Sequence, residues 1–391
     1  YLKFQPHHFD YIVVDETHRA AAQTYDVVLQ YFKPKFILGM TATPERTDGN
    51  DVFKLFDYNI AYEIRLNRAL EEQMLVPFHY YGVTEIRVEG REITEDAAFN
   101  LLVAPERVRH IADRARFYGT DCSDVRGLVF CSKNEESAAI ADQFIRLGYR
   151  AVALSGASSD LERAQAIERL ESEDPSKKLD YIFTVDIFNE GIDIPKVNQV
   201  ILLRPTQSAI VFVQQLGRGL RKAEGKSYLT VIDFIGNYKN NFLVPVALFG
   251  DQSYNKDVLR RLVSSGSSLV PGSSTIDFDK ISRDRIFESI TNSNLQTKKD
   301  LVNDYKLVKY RIGRPPLMVD FLNQNGRDPY QYVIYSRSYY NFLLDVEAGT
   351  PVLSQRVKVI FESLAKEVNN GKKIQDSIAL FLLLNGGPVT F

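Results

Sequence analysis

A chain of 391 residues has room for two or three domains and a substantial buried core. Its hydrophobic fraction of 45% and charged fraction of 25% are those of an ordinary globular protein, and a formal net charge of −2 excludes nucleic-acid binding by bulk charge, leaving only local basic patches. Cys122 and Cys131 are too few for a disulfide scaffold or a four-ligand zinc site and suit a reducing cytoplasm, while no apolar run approaches the roughly 20 residues of a membrane span.

The first clear element is Tyr11-Ile12-Val13-Val14, a run of β-formers that ends abruptly in Asp15-Glu16-Thr17-His18. A buried strand of a parallel sheet delivers charged groups to the sheet's carboxyl edge in this way, and ligand chemistry in open α/β sheets sits at that edge. Acids there can hold a divalent cation or position water. They can equally serve the dipole and cap of the helix that follows. That helix is expected over residues 20–31, and a second apolar strand over 36–40 runs into Thr41-Ala42-Thr43-Pro44.

In these two stretches the chain resembles the superfamily 2 helicases and translocases. Motif II of that family reads Asp-Glu-x-His, matched by Asp15-Glu16-Thr17-His18; motif III reads Ser/Thr-Ala-Thr, matched by Thr41-Ala42-Thr43. The resemblance implies that Asp15 holds Mg, directly or through water, that Glu16 positions the attacking water, and that His18, Thr41 and Thr43 relay the state of bound ATP.

Residues 61–104 lose the strand–helix alternation and read as a connector, with a strand at Phe78-His79-Tyr80-Tyr81-Gly82-Val83 inside it. Pro105 then opens a helix running to about Gly119. Strands follow at 127–131, 150–154, 181–185, 199–203 and 228–234, separated by helices. Ser132 with Glu135, and Ser159 with Glu162, have the spacing of capping boxes. Repeated units of this length predict a parallel sheet with right-handed crossovers.

Three further motifs resemble the same family. Residues 184–195, from Thr184 through Glu190-Gly191-Ile192-Asp193 to Pro195, resemble motif V; the family places the Thr by the nucleic-acid backbone and Gly191 and Asp193 toward the nucleotide. Gln214-Gln215-Leu216-Gly217-Arg218-Gly219-Leu220-Arg221 resembles motif VI, Gln-x-x-Gly-Arg-x-x-Arg, although Leu220 stands where Gly is frequent. Arg218 and Arg221, three apart, would project from one helical face and close on a γ-phosphate as arginine fingers, with Gln214 beside the nucleotide. Val129-Phe130-Cys131-Ser132 resembles motif IV and Leu154-Ser155-Gly156 the turn after it, both assigned to the nucleic-acid backbone. Singly, each of these stretches also has an ordinary reading as turn, cap or solvated helix end. Together, five short motifs in the right order are specific.

A phosphate loop of the form Gly-x-x-x-x-Gly-Lys-Ser/Thr is not found. Gly225-Lys226-Ser227 has its tail, but the Gly five residues earlier is Leu220. The loop is therefore expected upstream of Tyr1, which has no initiating Met before it, and the chain alone is expected not to hydrolyse ATP. Strands 11–14 and 36–40 would then lack part of their cover, leaving the first 60 or so residues prone to aggregate.

After Pro245 the pattern changes. Ser264-Ser265-Gly266-Ser267-Ser268 and Pro271-Gly272-Ser273-Ser274 read as a flexible linker or loop, with helices beyond it. Between Gln296 and Arg337 stand eight basic residues (Lys298, Lys299, Lys306, Lys309, Arg311, Arg314, Arg327, Arg337) against four acids, interleaved with Tyr305, Tyr310, Tyr330, Tyr332 and Tyr335. This composition suits either a nucleic-acid surface or a solvated face over a Tyr-rich core.

The expected fold class is α/β: two RecA-like parallel-sheet domains, the first partial (1–60), then the connector (61–104), the second domain (105–245) and a helical accessory domain (246–391). A finer resemblance is to bacterial helicases with a phospholipase D-like nuclease domain. The implied function is an ATP-dependent DNA helicase or translocase, with ATP and Mg as cofactors and DNA favoured over RNA as partner. An RNA-remodelling ATPase and a non-enzymatic binding module are the alternatives.

Overall fold

The structure, a computed structural model, describes residues 2–15, 17, 23–41, 56, 59–122, 124–187, 194–206, 208–293, 295, 297–324, 326–368 and 374–385. Two compact units divide it. The larger comprises Tyr62–Asp251 with Lys256–Ser293; the other takes in Tyr1–Ala61, Gln252–Asn255 and Asn294–Phe391.

A two-stranded parallel sheet pairs β1 (Tyr11–Val14) with β2 (Phe36–Gly39) in the N-terminal segment. The larger unit is built on a seven-stranded sheet of β3 (Phe78–Thr84), β4 (Gly127–Phe130), β5 (Ala151–Ala153), β6 (Tyr181–Thr184), β7 (Gln199–Leu202), β8 (Leu229–Ile235) and β9 (Thr275–Phe278). Every pairing in it is parallel, in the order β5-β6-β4-β7-β8-β3-β9. Strands β4, β6, β7 and β8 are buried at every position, which is why their sequences run apolar instead of alternating. The helices Pro105–Tyr118 and Asn134–Arg146 cover one face, packing Val108, Ile111, Ile140 and Phe144 on Phe183, Ile201, Ile232 and Phe234.

This unit is wider than the 105–245 expected. Strand β3, read as part of a connector, lies inside the sheet between β8 and β9, with Phe78 and Tyr80 fully buried. The serine- and glycine-rich stretch read as a linker is ordered: Lys256–Ser265 is helical, a 3-10 turn covers Gly266–Leu269, and β9 follows. Ser274 is buried and its hydroxyl accepts the Phe78 amide at 3.2 Å. Gly82 allows the fit, because a Cβ there would stand 2.4 Å from Cδ1 of Phe278.

Local signals act as the residues dictate, with one exception. Pro105 opens its helix, Gly119 follows that helix with φ of 63°, and Ser159 and Glu162 form a complete capping box. Ser132 and Glu135 do not: Lys133 is the N-cap, and the Ser132 amide donates to Glu136 Oε2 at 2.8 Å.

Among the C-terminal helices, Lys298–Ile312, Met318–Asn323, Tyr330–Ser336 and Tyr339–Val346 enclose a core of Leu301, Tyr305, Val308, Phe321, Tyr332 and Phe342. Several of the basic residues pair with acids there, among them Lys298 with Asp345, Lys309 with Glu347, Arg314 with Asp320 and Arg327 with Asp304. Tyr305 and Tyr332 are core residues. For these side chains the Tyr-rich core is the observed arrangement. Among the described residues no helix is long and apolar enough to cross a membrane.

Candidate nucleotide and nucleic-acid site

Parallel pairing sends every strand of the large sheet toward one carboxyl edge, and Ser132, Ser155 and Thr184 collect there. Ser132 lies two residues beyond β4, Ser155 two beyond β5, and Thr184 is the last residue of β6; these are three adjacent strands. Bonds of the Cys131 amide to the Thr184 carbonyl (2.8 Å) and of the Leu154 amide to the Phe183 carbonyl (2.9 Å) hold the turns side by side. Ser155 and Gly156 are braced by the Ser158 hydroxyl on the Ser155 amide and by Arg163 Nη2 on the Gly156 carbonyl (3.1 Å). Thr184 is wholly buried and its hydroxyl has no hydrogen-bond partner. The Ser132 amide, expected to face a phosphate, is already committed to Glu136.

That commitment belongs to a buried ionic network that sequence reasoning missed. Arg107, fully buried, donates from Nη2 to Glu85 Oε2 at 2.8 Å, from Nη1 to Glu136 Oε1 at 3.1 Å and from Nη1 to the Leu102 carbonyl at 2.6 Å. Burial pushes the Glu136 carboxyl above its ordinary value, against the pull of Arg107 and the Ser132 and Lys133 amides. Burial also works against the Arg107 charge, but Glu85 and Glu136 hold it above the ordinary arginine value. Glu85 and Glu136 are 22 and 29 positions from Arg107, so no local spacing announces them.

The motif VI helix is Ala209–Gly219. Gln214 and Arg218 lie on it, both part-exposed, and Gln215 is buried. Arg221 does not share a helical face with Arg218, as the three-residue spacing suggested, because the helix ends at Gly219. A Cβ on Gly219 would stand 2.4 Å from Cδ1 of Leu229, so the chain turns against β8, buries Leu220 completely and leaves Arg221 exposed in the turn. Between this helix and the sheet edge, Asp186, Arg204, Thr206, Ser208, Phe212 and Gln215 line a small cleft, with Arg204 Nη1 on Asp186 Oδ1 at 2.7 Å.

In the N-terminal segment, Asp15 follows β1 directly and Thr41 follows β2 by one residue beyond Met40. Thr17 ties the two strand ends: its amide (3.0 Å) and hydroxyl (2.9 Å) both donate to the Met40 carbonyl, whose own amide donates to Val14 (2.9 Å). Thr17 is buried, so its place in motif II is to bring that motif against motif III. Glu16, His18, Thr43, Gly191 and Asp193 lie outside the described residues.

Gly225-Lys226-Ser227 is a turn with its donors spent inside the protein. Gly225 has φ of 74°, Lys226 Nζ donates to the carbonyls of Pro195 (2.7 Å) and Arg221 (3.0 Å), and the Ser227 amide donates to Asp121 Oδ2 (2.6 Å). It is not a phosphate loop.

Comparison with known proteins agrees with these motifs. Residues 1–46 match the family described as "Type III restriction enzyme, res subunit", residues 118–223 the "Helicase conserved C-terminal domain", and residues 301–391 a domain of unknown function. Over those two stretches, 1–46 and 118–223, the chain is similar to superfamily 2 helicases of the DEAD/DEAH type. It is 26% identical over 228 residues to a 51.5 kDa protein of a Lactococcus phage, covering 58% of this chain and 49% of that one. It is 25% identical over 262 residues to the endonuclease subunit of the type I restriction enzyme EcoAI of Escherichia coli, covering 59% and 32%. The chain thus spans about half, or less, of the curated relatives it matches. Among solved structures, the type ISP restriction-modification enzyme LlaBIII bound to DNA aligns at 16% identity with a TM-score of 0.49, covering 97% of this chain and 33% of that one.

Proposed function

We propose that this chain is part of an ATP-dependent superfamily 2 DNA motor, in which ATP hydrolysis drives movement along DNA. The observation that supports the reading is that Ser132 of motif IV, Ser155 and Thr184, which opens motif V, stand together at one carboxyl edge of a parallel sheet, with motifs II and III joined by Thr17 at the edge of another. DNA is favoured over RNA because restriction enzymes are among the relatives.

The residues fit the nucleotide in part. Asp15, exposed directly after β1, would hold Mg, and Glu16 would orient water; Arg218 and Arg221 would stabilise charge on the transferring phosphoryl group. ATP with Mg supplies the phosphoryl-transfer chemistry when bound. The phosphate loop would come from sequence preceding Tyr1, so the 391 residues alone would be inactive. Ser132, Ser155, Gly156 and Thr184 would face the nucleic-acid backbone.

The test is nucleic-acid-stimulated ATP hydrolysis by the intact protein containing this chain, beside the 391-residue chain and Glu16→Gln. Activity with DNA that falls at least about a hundredfold in the Gln variant supports the reading. Stimulation by RNA alone transfers the assignment to an RNA-remodelling ATPase. Silence with both leaves a binding module with a helicase fold.

A further inference from the structure

We propose that Lys226 is a positioning residue that fastens motif VI to motif V. Its ammonium bridges two carbonyls: that of Pro195, the last residue of motif V, and that of Arg221, the last of motif VI. The two are 26 positions apart in the sequence and sit on separate loops after separate elements. This deepens the function proposed above, since it assigns a residue to the stance of the arginine fingers.

The local structure is built to hold that ammonium. The helix before it ends at Gly219, and in the turn that follows the Arg221 carbonyl faces the Lys226 ammonium. Gly225 supplies the left-handed backbone that aims Lys226 back across the turn, and the Ser227 amide is pinned by Asp121. On the far side, the Val197 amide closes a turn on the Ile194 carbonyl (3.2 Å), and the Lys196 amide and ammonium are held by Glu171 and Glu173. Arg126, Glu173, Lys196, Asp121 and Glu224 surround the pocket in which Lys226 lies. Burial brings the Lys226 ammonium down to about 8, with Asp121 and Glu171 opposing. A lysine retained at such a cost to its charge makes hydrogen bonds that a neutral side chain of the same length cannot.

A step of this kind acts on turnover and leaves ligand affinity alone: the fingers are needed where charge develops on the phosphoryl group, and their backbone must be fixed before that moment. Lys226→Met removes both bonds, and Lys226→Arg keeps a donor that spans the same gap.

The experiment has two arms. In the 391-residue chain, backbone amide exchange is followed at Val197 and Ser227 in wild type, Lys226→Met and Lys226→Arg. The proposal expects Lys226→Met to speed exchange at both loops together and Lys226→Arg to leave both near wild type. Faster exchange confined to residues 221–227 overturns the coupling. In the intact protein, Lys226→Met should lower kcat for nucleic-acid-stimulated ATP hydrolysis about tenfold with KM for ATP nearly unchanged, and Lys226→Arg should recover most of it. An unchanged kcat, or a loss carried entirely by KM, overturns the positioning role. If the wild-type protein has no such activity the motor reading fails, and the exchange arm still decides whether Lys226 joins the two loops.

Discussion

Two parallel sheets occur in this protein, written in the same apolar language and packed very differently. In β1 and β2, Tyr11 is 71% exposed, Val13 58% and Phe36 51%. In β4, β6, β7 and β8 no residue is exposed at all. Apolarity on both faces of a strand therefore signals a strand made to be covered, and burial reports only what this chain itself brings to cover it. The difference extends to polar groups: the larger sheet carries ions and carboxylates in its interior, while at the strand ends of the smaller one Thr17 supplies a buried hydroxyl.

The contrast is broken most severely by removing the charge at the centre of the larger unit. Arg107→Met leaves Glu85 and Glu136 buried without a partner and should cost about 3–5 kcal/mol, read as a lower urea midpoint for the larger unit. A cost below about 1 kcal/mol would mean that the two carboxylates find water or protons readily.

A smaller and pH-dependent effect should come from Asp233 on β8, fully enclosed and accepting a bond from the Tyr80 hydroxyl at 2.6 Å. Burial pushes this carboxyl up to about 7. The folded protein then holds a proton that the unfolded chain releases near the ordinary carboxylate value, so the stability it contributes is complete at low pH. It is lost as pH rises through about 7, by up to about 4 kcal/mol. Asp233→Asn keeps an acceptor for Tyr80 and should remove that slope, gaining on the wild type between pH 5 and pH 8 in urea titrations. Parallel pH profiles for the two proteins would place the raised acid elsewhere.

The smallest effect belongs to the smaller sheet. Val13→Thr, on its exposed face, should change stability by no more than about 0.5 kcal/mol and raise solubility. A loss of several kcal/mol would show that this face is covered in solution.

Much of this was legible in the sequence where a signal is local. The strands from β4 to β8 are bracketed by Gly and Pro, Pro105 and the Ser159–Glu162 box mark helix starts, and five motifs fall in family order. What escaped depends on partners far along the chain. Strand β3 is a short aromatic run whose neighbours β8 and β9 lie more than a hundred residues later, and β9 follows a stretch whose serines and glycines mimic a linker. The Ser132 turn was misread by one position: Glu135 has the capping-box spacing, but the helix begins at Asn134 and Glu136 takes the amide. Three apart in sequence, Arg218 and Arg221 are on one face only if the helix continues, and it ends at Gly219, which lies close against Leu229. In the C-terminal helices the tyrosines were ambiguous, because an aromatic between charges looks alike whether it faces a base or a core.

The place of β3 has a consequence for how the protein is made. It leaves the ribosome well before its partners, so both edges of its backbone must wait: one for β8, about 150 residues later, and the other for β9, about 195 residues later. Until Thr275–Phe278 has been synthesised, a strand carrying Phe78 and Tyr80 has no complete place to go. During that interval the nascent chain exposes a sticky aromatic edge, and a ribosome that pauses just before residue 275 would hold it open longest.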